Sequence, residues 1–258
     1  DVTLNSGTQT TTVKTIGSSS NINDVSITAG TINTNGTITT AEVGGGSNTA
    51  GNVTLTGAVN LAGATTIDTS SSGGTVGFTS TINGANTLTI TSGAGAVDIA
   101  GIIGGTAAIG NTSINNSSGA GTIDILQIGD GNPSAGISGT LDIGNTTTNQ
   151  VEFDGTRYNI AGNVTVESKS GSHIDFTGTD PSFTATGASS TITFSTGTIE
   201  IAATGLTMSS NNGNISLGAI EGTHDEDLSI NAGSGTLAVG AIGATNAEGI
   251  NTVALTSS

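Results

Sequence analysis

Leu88-Thr89-Ile90-Thr91-Ser92-Gly93-Ala94-Gly95-Ala96-Val97-Asp98-Ile99 reads as two short strands around a glycine-rich turn. In Leu88-Thr89-Ile90 and in Val97-Asp98-Ile99 two apolar residues flank one polar residue, so each strand buries one face and wets the other. Gly93 and Gly95 supply backbone freedom between them. The arrangement returns as Leu228-Ser229-Ile230-Asn231-Ala232-Gly233-Ser234-Gly235-Thr236-Leu237-Ala238-Val239, which marks internal repetition.

Outward from this stretch the same device fills the chain: Val53-Thr54-Leu55, Ile123-Asp124-Ile125, Val151-Glu152-Phe153, Ile174-Asp175-Phe176, Ile199-Glu200-Ile201. Breaks such as Gly44-Gly45-Gly46 and Ser72-Gly73-Gly74 hold the strands to a few residues each. No segment places apolar residues at helical spacing, and the abundant Thr, Gly and Asn oppose helix. Short strands with almost no aromatic residue fit poorly in a sandwich core about 10 Å thick. Coiled into a solenoid, each turn stacks small aliphatics on the turn below at ~4.8 Å spacing. The expectation is one all-β domain over 1–258, a right-handed parallel β-helix of about ten turns of roughly 25 residues with no second globular domain. The alternative is an array of antiparallel sandwiches joined near Asn132-Pro133 or Asp180-Pro181.

Composition narrows function. Of 258 residues 42 are Gly and only 2% are aromatic, so a thin aliphatic core is expected. Nineteen acids against three bases give a formal charge of −16, which repels nucleic acid and anionic lipid. The absence of Cys removes disulfides and thiol chemistry and suits an exported chain stabilised by repetition. No apolar run approaches the ~20 residues of a membrane span, so no membrane insertion is expected. No basic start precedes an apolar stretch, so export implies a leader already trimmed.

The run Thr66-Ile67-Asp68-Thr69-Ser70-Ser71-Ser72-Gly73-Gly74-Thr75-Val76-Gly77-Phe78, continuing through Thr79–Ile90 and the Gly93–Gly105 turns, resembles the repeats of filamentous-haemagglutinin-like bacterial surface proteins. The match is sharp over about 50–110, looser over 190–250 and compositional elsewhere. The resemblance implies a β-helical stalk displayed outside a bacterial cell, with an adhesive or matrix-forming role and no catalysis. One departure stands out: the Asn-Pro-Asn-Gly-type secretion motif of two-partner adhesins is missing, since Pro occurs only at Pro133 and Pro181.

Candidate sites are few. Asp98, Asp124, Glu152, Asp175, Glu200 and Asp225 recur at intervals of 26, 28, 23, 25 and 25, and the first five hold the outward place of an apolar-acid-apolar strand. At one turn per interval they form an acidic face whose neighbours repel by about 1 kcal/mol even in water, a strain that calcium would relieve. Within Glu221-Gly222-Thr223-His224-Asp225-Glu226-Asp227, the oxygens of Glu221, Asp225 and Asp227 suit Ca²⁺. Asp130-Gly131-Asn132 matches only half of a calcium loop. No cofactor is otherwise required.

Enzymatic readings need more. A glycan hydrolase would use Glu152 with Asp154, or Asp225 with Asp227, and only Tyr158 stands near the first pair as a sugar platform. Lys14, Arg157 and Lys169 are too dispersed for a lyase. His173 lies two residues from Asp175 and reads as a surface histidine. Outward pairs such as Thr54 and Thr56 are too irregular for ice binding. Strand-like sequence from Val2-Thr3-Leu4 to Val253-Ala254-Leu255 leaves no polar cap, so the expected partners are another copy in a head-to-tail polymer or the rest of a longer adhesin, with glycans on the lateral face.

Overall fold

The computed structural model describes residues 1–17, 22–41, 51–115, 119–131, 136–243 and 249–258. The Gly44-Gly45-Gly46 break, Asn132 and the Asn132-Pro133 boundary lie outside the described residues. Among the described residues all strands join one sheet, which coils as a parallel β-solenoid through about 9 turns without helix. Turn length varies, from 21 residues between Val76 and Val97 to 30 between Ile128 and Tyr158, so the regular 25-residue period is an average. Parallel pairing excludes the antiparallel sandwich array: the ladder runs unbroken past Asp180-Pro181, with His173–Phe176 paired to Thr198–Ile201. No helix among the described residues is long and apolar enough to cross a membrane.

Three ladders run along the coil. On the first face Val25, Val53, Val76, Val97, Ile123, Val151, Ile174, Ile199 and Ile220 lie in register, one per turn, facing inward. The second carries Ile32, Val59, Ile82, Ile103, Ile128, Tyr158, Phe183, Met208 and Ile230. The third carries Ile38, Ile67, Ile90, Ile114, Ile143, Val166, Phe194 and Leu217. These side chains are buried and form one continuous core. Each contributes about 1.5–3 kcal/mol on leaving water, which is how so thin a tube accumulates stability.

Two departures from expectation have physical causes. The core is not purely aliphatic: Phe153 stacks on Phe176 with centroids 5.1 Å apart, Tyr158 stacks on Phe183 at 5.5 Å, and Phe194 meets Phe183 edge-on at 5.2 Å. The ~4.8 Å rise between turns is close to a ring-stacking distance, so aromatic residues in register pile up without distorting the coil. Second, Val25–Thr39 and Val53–Asp68 are single long strands that bend round corners. Gly57, at φ 131°, makes one such bend, and a Cβ there would lie 1.8 Å from the Ala29 carbonyl oxygen.

The repeated sequence stretches occupy different faces. Leu88–Thr91 is on the third face and leads into Val97–Ile103, which starts on the first, whereas Asp227–Asn231 is on the second and leads into Leu237–Val239 on the third. What repeats is therefore a corner. Gly93 and Gly233 both adopt positive φ (62° and 57°), and the Gly95 and Gly235 amides donate to the carbonyls of Ser92 and Ala232 at 3.0 and 2.9 Å. At the outermost turns, Val253 and Leu255 of Thr252–Thr256 are 44% and 47% exposed, and Leu4 is 38% exposed.

Candidate functional site

The first face turns six acids outward in consecutive turns. Parallel register pairs Asp98 with Asp124, Asp124 with Glu152, Glu152 with Asp175, Asp175 with Glu200, and Glu200 with Glu221. The sixth member is thus Glu221, not Asp225, because the turn from Ile199 to Ile220 takes only 21 residues. Alternation fixes the geometry: each acid sits between two inward residues such as Ile174 and Phe176, so it must point to the outer surface.

Three further groups crowd this ladder. Asp154 shares hydrogen bonds with both Asp124 and Glu152 and accepts one from Thr177 Oγ1 at 2.6 Å. Burial, then the charge of Asp154 and its shared hydrogen bond, then Glu152 and Asp98, push the Asp124 carboxyl up to about 7. Glu152 is raised too, by burial and then by Asp154. Asp175 and Glu200 are raised chiefly by burial, with His173 opposing the rise in both. Asp124, Glu152, Asp175 and Glu200 thus hold protons more tightly than free carboxylates do.

His173, at the start of His173–Phe176, faces the ladder rather than standing alone on the surface. Its Nδ1 lies 3.4 Å from Glu200 Oε2 and 3.8 Å from Asp175 Oδ1. Gln150 Nε2, one turn earlier, donates to Asp175 Oδ2. Asp175 is 6% exposed, and its Oδ1 makes no hydrogen bond. Among the described residues, His173, Asp175 and Glu200 are the group of three whose ligating atoms all lie within 4.8 Å of one another.

The structure does not gather Glu221, Asp225 and Asp227 into such a group. Glu221 belongs to the ladder; Asp227 opens Asp227–Asn231 on the second face and accepts a hydrogen bond from Asn251 Nδ2 at 3.1 Å. Asp225, exposed, lines a concavity of about 540 Å³ with Thr177, Thr179, Thr204, His224 and Glu226. Glu226 holds that loop: its Oε1 accepts from the Thr223 amide at 3.0 Å, the Thr223 hydroxyl at 3.0 Å and the His224 amide at 2.6 Å.

The pair Glu152 and Asp154 is brought together, but the platform beside it is not. Tyr158 points into the core with no exposed surface, and its hydroxyl meets the Gly155 amide at 2.6 Å and the Leu126 carbonyl at 3.2 Å. His173 as a neighbour of Glu200 was beyond sequence reading, since 27 residues separate them. No known protein family, no curated protein and no solved structure matches this chain.

Proposed function

We propose that this chain is a non-catalytic structural element outside a bacterial cell, of the filamentous-haemagglutinin-like kind its sequence resembles. It serves as a length of adhesive stalk or as a subunit of a head-to-tail fibre, with its acidic face available to glycans or cations. One observation carries this reading: three parallel ladders stack turn upon turn over one continuous buried apolar core, so the fold builds a rod. A stack of this kind gains length by adding further turns edge to edge, as a stalk or a fibre does. The net charge of −16 opposes side-by-side clumping and so directs association to the ends. Electron microscopy of purified protein tests this. Filaments favour the fibre subunit; discrete rods about 45 Å long at ~4.8 Å per turn favour the stalk. Compact round particles would sink both.

A second reading, cleavage of acidic polysaccharide by Glu152 with Asp154, draws support from the neighbouring Asp124, whose carboxyl, pushed up to about 7, holds its proton more tightly than a free carboxylate. Reducing ends released by the intact protein and lost in Glu152→Gln would favour it over the structural role.

A further inference from the structure

We propose that His173, Asp175 and Glu200 form a site for a single first-row divalent cation of the zinc class, clamping two successive turns of the coil. The geometry comes first. A tetrahedral ion with bonds of ~2.0–2.1 Å holds its ligand atoms about 3.3 Å apart. His173 Nδ1 lies 3.4 Å from Glu200 Oε2 and 3.8 Å from Asp175 Oδ1, and the ligand atoms of all three lie within 4.8 Å of one another, so small rotations of His173 and Glu200 complete the arrangement.

The buried carboxylate supplies an independent reason. Asp175 is more than nine-tenths buried, and its Oδ1 faces His173 without any hydrogen bond. A contact of 3.8 Å is too long for an N–H···O bond. An unpaired buried oxygen is costly, and a proton on His173 does not satisfy it at this distance. A metal ion placed between the three atoms does. Meanwhile Gln150 Nε2 occupies the other oxygen, Asp175 Oδ2, which is the outer support that metal-ligating carboxylates use to hold orientation.

Ligand chemistry selects the ion. One imidazole nitrogen with two carboxylates suits zinc and its neighbours, whereas Ca²⁺ asks for six to eight oxygens and Mg²⁺ for an octahedral shell. His173 keeps 45% of its side chain exposed, which leaves a fourth position open to water or to an incoming ligand atom. Because His173 and Asp175 belong to one turn and Glu200 to the next, the bound ion ties the two turns together.

The test uses untagged full-length chain, stripped with a chelator and titrated with zinc chloride by calorimetry. One equivalent should bind with micromolar or tighter affinity, raise the melting temperature and resist an equal concentration of Ca²⁺. His173→Gln and Glu200→Gln should each weaken binding at least about tenfold. Cobalt(II), added in place of zinc, should show visible absorption bands that disappear in His173→Gln. Circular dichroism checks that each variant is folded, and the exposed His173 provides the safer substitution. Absence of zinc binding by the wild-type chain, or unchanged binding by folded His173→Gln, overturns the site.

Discussion

Single residues set the limits of this coil. Gly51, Gly74, Gly95 and Gly121 stack at one corner in successive turns. A Cβ on Gly74 would meet the Gly51 carbonyl oxygen at 2.0 Å, one on Gly95 the Gly74 oxygen at 2.1 Å, and one on Gly121 the Gly95 oxygen at 1.9 Å. No flexible side chain can yield there, since the obstacle is backbone. Gly95→Ala should therefore destabilise the chain by about 2–3 kcal/mol, read as a lower urea midpoint, while Gly77→Ala, with nothing within 4 Å of the added carbon, should leave it nearly unchanged. Asp124 sets a limit of a different kind. Its folded value near 7 lies above the ordinary 3.8, so the folded chain binds this proton more tightly than the unfolded one between those values. Its stabilising contribution is fully present below about pH 4, falls as pH rises toward 7 and is flat above. Asp124→Asn should flatten that slope in thermal melts and raise the melting temperature at pH 7.5 by about 2–4 °C, because solvent screening keeps the gain to roughly 1 kcal/mol. A melting temperature that climbs from pH 4 to 7 in the wild type would contradict the assignment.

At the scale of elements, the strand pattern and the outward acids were legible because the side-chain period of two is local and the parallel register only repeats it. The ladder's last step was not legible. Ile220-Glu221-Gly222 lacks the second inward apolar residue, and the reason lies elsewhere in the chain: a Cβ at Gly222 would come within 2.1 Å of Glu226 Oε2 and 3.0 Å of Ile250 Cδ1. Asp225 kept a 25-residue interval by coincidence of spacing, in a loop. His173 with Glu200 was equally hidden, since one turn of coil has no fixed length in sequence. A third regularity also went unseen. Asn111, Thr140, Asn163, Thr191, Asn214 and Thr236 precede successive strands on the third face. Each Asn Oδ1 accepts the amide of the Thr one turn on, at 3.0, 3.0 and 2.9 Å. These residues looked like ordinary loop composition, yet they join turn to turn outside the strand ladder, and each bond is worth about 1 kcal/mol.

The whole molecule behaves as a one-dimensional stack in which each turn touches its two neighbours, so stability is expected to be graded along the axis. Hydrogen exchange should be fastest in Thr252–Thr256, exposed throughout, and slowest in the turns holding Phe153, Phe176, Phe183 and Phe194. Uniform protection from end to end would count against that gradient. The aromatic pile in the middle has a mechanical consequence. Under tension applied at the two extremities, aliphatic turns should peel away singly, each of about 25 residues releasing some 80–90 Å of slack. The stacked rings then act as a knot at which peeling stalls, so a pulled filament lengthens by yielding elsewhere before it parts.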